Sequence, residues 1–409
     1  MTAPLVRIER LAAGGDGIGH LEDGRVVFVP RTAPGELVAL RDLKPSRRFA
    51  RARVATIVEP SPDRVEPRCA HYTADDCGGC QLQHVAVPMQ RTARAAFVGD
   101  ALRRLARLDV ADPPLEPAER EFGYRTKLTL AAAPDGRRIG LHPLNRPDAV
   151  FQLDRCHLAA ESLMELWTVL RRHRGLMPPG LDRLVLRLDR AGGRHVIAKV
   201  RGTVVWTKAP TFAGELDRAQ VPTTLWWQPE GGVARVLAGR PNGAPAPVFE
   251  QVNPGMGDRV RAFAVDRLGP VRDAGVWDLY AGIGETTAAL AAGGARVESV
   301  ERDPRAVAHA EAAGPSARRH TGSAEAAVGR LEPADFVVTN PPRTGMDAVV
   351  TAAIAAGRPR RIVYVSCDPA TLARDIVRLG PGFRLVEARA FDQFPQTAHV
   401  ETVAVLDRV

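Results

Sequence analysis

Short apolar runs with a two-residue alternation open the chain: LVRIERL from Leu5, then RVVFVP, LVALRDL and FARARVATIV, ending near Glu59. Gly-, Pro- and charge-rich turns such as AAGGDGIGH and RTAPGE separate them, which is the punctuation of a small all-β unit. An OB-like barrel is expected there. Its exposed arginines suit RNA, although a plain β-domain would show the same pattern. From Val87 to Leu108 the periodicity turns helical, and Arg91, Arg94, Arg103, Arg104 and Arg107 among the apolar positions predict one basic face. Residues 122–265 mix β-type runs (YRTKLTLAA, RLVLRLDR, HVIAKVRG) with helices and turns, without repeats or low-complexity tracts. From Arg272 strand, Gly-rich loop, helix, strand and helix alternate, the order of a parallel doubly wound sheet whose ligand crevice lies at the carboxyl ends of its strands. The expected class is therefore α/β. A β-barrel over 1–61 and an α+β central domain over 62–265 precede a Rossmann-like domain over 266–409.

With 409 residues and 45% hydrophobic composition, the chain can bury the cores of two or three domains and is neither disordered nor fibrous. Lys and Arg total 56 against 47 acids, and the positive side is carried mostly by Arg, whose planar fork suits phosphate. A polyanionic partner is favoured, although a GC-rich genome would also replace Lys by Arg. No apolar run reaches the length of a membrane span and no signal-like stretch opens the chain, so a cytoplasmic protein without a membrane partner is expected. Nothing in the sequence calls for an obligate protein partner. A disulfide framework is a poor reading of five cysteines in such a chain, and each one needs its own explanation.

In VWDLYAGIGETTAAL the strand ends at Asp278 to Tyr280. Gly282 and Gly284 then let a ligand approach the backbone at a helix start. Glu301 follows 17 residues after Gly284 at the end of the next strand, where an acid can accept from both ribose hydroxyls. The loop alone leaves NAD open. The missing third glycine, and NPPR from Asn340 at the end of a later strand, favour S-adenosylmethionine.

Cys367 lies between an apolar strand and a helix in VYVSCDPATLARD, where the helix dipole should favour the thiolate a nucleophile needs. Taken alone, a buried structural cysteine is the commoner fate of such a residue. SCDPATLARD, with NPPRTG before it and FPQTAHVET after it, resembles the RNA 5-methyluridine methyltransferase family. The likeness extends over almost the whole chain: the first 60 residues resemble the TRAM RNA-binding domain, and 272–409 the family's catalytic domain. It implies Cys367 as nucleophile and Glu401 as base, with Gln251, Tyr280, Glu285, Glu301 and Asn340 around the cofactor. Ser323 aligns only loosely as an adenine contact.

The chemistry agrees with these roles. Carbon 5 of uracil is too weak a nucleophile to attack a sulfonium. A thiolate adding to carbon 6 creates an enolate at carbon 5, and a base then removes the carbon 5 proton to release the cysteine. The target base must first leave its stack or loop. Relatives usually carry Asp where this chain has Asn340, which raises an amino-group methyltransferase as a rival. That rival would place an aromatic residue where Arg343 stands. A catalytically silent RNA-binding protein, and a flavin- or folate-dependent uridine methylase, are the remaining rivals.

Cys69, Cys77 and Cys80 are spaced C-x7-C-x2-C, with Cys156 distant in LDRCHL. Four soft ligands suit zinc or an iron–sulfur cluster, and spacing does not choose between them. The family resemblance, which includes CGGCQLQH, implies 4Fe-4S in a structural role, with zinc as the alternative. His71 and His84 read as ordinary loop residues rather than substitute ligands. The barrel and the cysteine loop together lean towards 23S ribosomal RNA over tRNA, because simpler tRNA members of the family lack both.

Overall fold

The computed structural model describes residues 3–239, 250–314 and 317–409. It forms two compact units: residues 1–67, 80–119 and 255–409 make the first, and 68–79 with 120–254 the second.

In the first unit, β1 (Leu5–Arg7), β2 (Arg10–Leu11), β3 (Gly17–His20), β4 (Val26–Val29), β5 (Leu37–Pro45) and β6 (Phe49–Glu59) form a six-stranded sheet in the order β1-β5-β6-β4-β3-β2. Alternation sends Val27, Val29, Val38, Leu40, Ala50 and Ala52 into a common core with Val6 and Ile8, and leaves Arg51 and Arg53 exposed on β6. The chain then forms α1 (Ala70–Ala74), which belongs to the second unit, and after it α2 (Val87–Leu105) and β7 (Leu115–Glu116) of the first.

The second unit is built on a seven-stranded sheet, β10-β9-β8-β11-β12-β13-β14. Its strands are β8 (Lys127–Ala132), β9 (Ile139–Leu141), β10 (Phe151–Gln152), β11 (Leu181–Leu188), β12 (Arg194–Val200), β13 (Thr223–Gln228) and β14 (Arg235–Ala238). Helices α3 (Glu161–Arg172) and α4 (Ala209–Arg218) pack Leu163, Trp167, Phe212 and Leu216 onto one face of this sheet, against Leu184, Leu186 and Val196.

The remainder of the first unit is the alternating half. Along the chain come α5 (Pro254–Leu268), β15 (Gly275–Leu279), α6 (Glu285–Ala292), β16 (Arg296–Glu301), α7 (Pro304–Ala313) and β17 (Ala317–Thr321). They are followed by α8 (Ala324–Ala327), β18 (Phe336–Thr339), α9 (Ala348–Gly357), β19 (Arg361–Ser366), α10 (Pro369–Leu379), β20 (Phe383–Phe391) and β21 (Glu401–Arg408). The strands order as β17-β16-β15-β18-β19-β21-β20-β7, parallel from β17 to β19, with β21 antiparallel to both its neighbours. These strands are apolar on both faces. Ile362 and Tyr364 enter one core with α2, α9 and α10, and Val363 and Val365 the other with α5 and α6. Order reverses between β15 and β18, so the crevice expected of such sheets opens at Tyr280 and Asn340. Among the described residues no helix is long and apolar enough to cross a membrane.

Candidate active site

The loop after β15 is set by backbone conformation. Tyr280 has φ +64°, Gly282 +58° and Gly284 +79°, a run that only glycine adopts without strain at its last two positions. A Cβ on Gly284 would stand 2.8 Å from the Ala310 side chain, which explains that glycine by packing. A Cβ on Gly282 would meet nothing within 4 Å, so the backbone there faces open space that a ligand can fill. Glu301 accepts from the Gly282 amide at 2.8 Å and from the Asp303 amide at 2.7 Å, holding the acid against the loop. Asn340 is exposed at the end of β18, its amide bonded to the Leu279 carbonyl at 3.2 Å. Glu285 opens α6 and is paired with Arg261 at 2.5 Å. The first unit thus assembles Tyr280, Gly282, Gly284, Glu285, Glu301 and Asn340 by itself, while Gln251 belongs to the second. This open glycine loop with its acid fits the cofactor that the sequence suggests. Beneath it, Asp278 accepts from Thr287 Oγ1 at 2.6 Å, and burial lifts its carboxyl to about 7.

Cys367 and Glu401 are brought together by strand register. Ser366, the last residue of β19, pairs with Thr402 of β21, so Cys367 and Glu401 flank the end of one ladder, and Glu401 acts electrostatically on the thiol. Glu401 is 2% exposed. Burial lifts its carboxyl to about 8, with Arg343 pulling the other way. The thiol departs from the expected thiolate. Burial pushes Cys367 above its ordinary value, Glu401 and Asp368 add to that, and Arg343 opposes it. Burial is the main cause, and the helix start does not offset it: Asp368 is the N-cap of α10 and takes the Ala370 and Thr371 amides at 2.9 Å each, so a carboxylate already answers the helix dipole beside the sulfur.

Arg343 and Asp375 are the residues that sequence reasoning passed over. Arg343 is exposed and acts electrostatically on both Cys367 and Glu401. Its loop is anchored by the buried Asp375 of α10, which accepts from the Met346 amide at 2.7 Å and Tyr364 Oη at 2.8 Å and pairs with Arg374 at 2.8 Å. The sequence NPPRTG placed Arg343 next to Asn340. Its relation to the thiol depends on the loop's return towards α10, which no periodicity shows.

Helix α2 serves the same site from behind. Arg94 is fully buried, pairing with Asp392 at 2.9 Å and donating to the Thr397 carbonyl at 2.8 Å. Gln90 and Gln396 exchange bonds of 3.0 and 3.1 Å. The expected basic face of α2 is therefore partly internal. Arg91 and Arg94 fix the 392–400 segment that leads into Glu401, whereas Arg104 and Arg107 remain exposed.

Of the remaining cysteines, Cys69, Cys77 and Cys156 lie in the second unit and Cys80 in the first. Cys69 lies close enough to Cys156 to feel its charge, burial being the main cause that raises its thiol, and Cys77 Sγ accepts from the Gly79 amide at 3.4 Å. Donor chemistry suits a soft metal. Among the described residues, however, no group of three or more Cys, His, Asp or Glu stands as a metal site. His71 bonds Asp75 at 2.7 Å and the Asp154 amide at 3.0 Å. His84 bonds the Thr32 carbonyl at 3.0 Å, its imidazole lowered to about 4 chiefly by burial. Both histidines are ordinary structural residues.

Switch-point crevice, glycine loop and ribose-type acid define an S-adenosylmethionine-dependent methyltransferase fold, here preceded by a small β-sheet module. The tRNA (uracil-5-)-methyltransferase family model matches residues 331–409, which contain Asn340, Cys367 and Glu401, and the TRAM domain model matches residues 5–55. An uncharacterized RNA methyltransferase of Thermosynechococcus vestitus is 33% identical over 447 residues, covering 98% of this chain and 97% of its own. One of Gloeobacter violaceus is also 33% identical, over 98% and 96%. The crystal structure of Pyrococcus abyssi tRNA (uracil-54, C5)-methyltransferase with S-adenosyl-L-homocysteine has the same fold, with TM-score 0.76 and 22% identity over 98% of this chain and 99% of that one. The chain belongs to the family of S-adenosylmethionine-dependent RNA uracil-5 methyltransferases.

Proposed function

We propose that this chain methylates carbon 5 of a specific uridine in RNA through a covalent bond between Cys367 and carbon 6 of the uracil. The observation that carries the reading is that Cys367 and the buried Glu401 flank the end of the β19–β21 ladder within electrostatic reach of each other, with Arg343 acting on both. Tyr280, Gly282, Gly284, Glu285, Glu301 and Asn340 hold S-adenosylmethionine, which supplies an electrophilic methyl group when bound. Cys367 Sγ gives up its proton to water and forms a bond to carbon 6, and the electron pair of the ring double bond moves to carbon 5 and its carbonyl. After carbon 5 has gained its methyl group, Glu401 accepts the proton from that carbon and the sulfur–carbon bond breaks, restoring the double bond. A carboxyl lifted to about 8 is a stronger base than an ordinary glutamate, and it titrates near working pH. Arg343 steadies negative charge on whichever partner carries it.

The functional parts proposed are an RNA-binding module over 1–61, a cysteine-bearing central part over 62–265 and the catalytic part over 266–409. Cys69, Cys77, Cys80 and Cys156 are proposed as ligands of a 4Fe-4S cluster, with zinc as alternative, on donor chemistry alone. The reaction uses no electron transfer, so no step passes through them. A cytoplasmic RNA is the substrate, with 23S ribosomal RNA tested first. The tRNA named for the archaeal enzyme of the same fold is tested second.

The experiment is transfer of labelled methyl from S-adenosylmethionine to unmodified ribosomal RNA and, separately, to tRNA, with Cys367→Ala alongside and the product nucleoside identified by mass. The expected result is 5-methyluridine on one RNA with the wild type and none with the variant. Label on an exocyclic amine, or label that persists in Cys367→Ala, would make Asn340 the reporter of an amino-group enzyme instead.

A further inference from the structure

The outer face of the N-terminal sheet carries a feature that the catalytic reading does not use. Phe28 of β4 lies directly opposite Arg51 of β6, and Arg51 opposite Lys44 of β5, giving one row across three strands. Phe49, two residues before Arg51, meets Phe28 edge-on with ring centres 5.8 Å apart and planes at 82°. The Arg51 guanidinium lies 5.6 Å from the centre of the Phe28 ring and 5.9 Å from that of Phe49. Phe49 is 36% exposed and the Arg51 side chain 63%. The hairpin tip adds Arg47 and Arg48, and every residue from Arg41 to Phe49 is exposed. Between Arg41 and Arg53 the chain places Arg41, Lys44, Arg47, Arg48, Arg51 and Arg53 against the single acid Asp42. Arg51 also touches the half-buried Asp16 at 3.3 Å, while most of its own side chain stays exposed.

We infer that this face is a stacking platform for an unpaired nucleotide of the RNA substrate: the base lies on Phe49 and the Arg51 guanidinium, and flanking phosphates meet Lys44, Arg47, Arg48 and Arg53. An aromatic ring beside a guanidinium offers every base a π-face, and the surrounding positive charge selects a polyanion. A duplex has no free base face to offer, so the platform prefers single strands. The inference deepens the proposed function and rests on its RNA substrate. It goes beyond that reading by naming the face, the residues and the unpaired form of the partner.

The test uses the full-length protein with a labelled oligouridine, alone and annealed to its complement, followed by fluorescence anisotropy across a salt series. Phe49→Leu should weaken binding of the single strand roughly 5- to 150-fold, the range for one lost base stack. Phe49→Tyr should restore it. The double variant Arg47→Gln, Arg48→Gln should lower the slope of log Kd against log salt by about 1.4. Phe49→Leu binding the single strand as the wild type does, with an unchanged melting temperature, would overturn the inference. So would variants that change binding of polyglutamate but not of oligouridine, since the face would then serve an acidic protein. Cys367→Ser separates the two readings: it should bind oligouridine normally and transfer no methyl. A wild type that binds through Phe49 yet methylates no uridine would sink the enzymatic proposal and leave the platform standing.

Discussion

Replacing Glu401 by Gln tests the electrostatics of the site apart from its chemistry. Burial lifts the Glu401 carboxyl from 4.5 to about 8. Between those values the folded protein keeps a proton that the unfolded chain has lost, so stability falls as pH rises through this window and levels off above it. Each pH unit is worth about 1.4 kcal/mol, so the interval costs on the order of 5 kcal/mol. Gln keeps the shape and does not titrate. Urea unfolding at pH 5, 6, 7 and 8 should therefore show Glu401→Gln gaining on the wild type by about 1.4 kcal/mol per pH unit. Asp278, lifted to about 7 by the same cause, gives both proteins its own slope and cancels in the difference. A difference constant across the series would mean that Glu401 titrates as an exposed acid does, and the argument from burial would fail. With RNA and S-adenosylmethionine present, the same variant should accumulate a protein–RNA adduct that survives denaturing electrophoresis, because the carbon 5 proton is no longer removed. Turnover without an adduct would take the base role from Glu401.

Two further expectations concern the surroundings of the site. Asp375→Asn removes a buried charge that holds the Met346 amide and Arg374. It should cost about 1–3 kcal/mol in unfolding free energy and lower kcat more than the KM for RNA, and full activity would show that the 343–347 loop needs no anchor. Metal analysis of anaerobically purified protein should find iron with acid-labile sulfide, lost together in Cys77→Ser. Zinc alone would support the alternative, and neither metal would overturn both.

The alternating half of the fold was legible because buried parallel strands and glycine loops leave continuous apolar runs and punctuation: β15, β16, β18 and β19 lie where VWDLY, RVESVE, DFVVTN and RRIVYVS predict them. The N-terminal strands were legible from two-residue alternation for the same reason. The destination of α2 was not. Its arginines recur at helical spacing, and spacing alone cannot tell a solvated arginine from Arg94, whose partner Asp392 lies 298 residues away in a different element. Spacing also gave no sign that residues 80–119 fold with the alternating half rather than with the cysteine-bearing segment just before them. Contacts of this range are set by packing, which leaves no local period. The influence of Arg343 on Cys367 and Glu401 was invisible for a related reason, since it comes from a loop that Asp375 anchors from α10.

The thiol shows how a local rule is overruled by its neighbours. A cysteine just ahead of a helix should gain thiolate character, yet Asp368 already answers the first amides of α10, and burial beside Glu401 then favours the neutral thiol. Glu401 is held neutral by the same burial. Charge on Glu401 raises the thiol of Cys367, so charge on one member of the pair disfavours charge on the other. On the proposed mechanism this orders the steps. While Cys367 carries the charge needed for addition, Glu401 stays protonated and does not oppose it. Once the sulfur is bonded to carbon 6 its charge has passed into the uracil ring, and Glu401 is released to ionise and take the carbon 5 proton. The pair would thus act in sequence because the site stabilises one negative charge at a time.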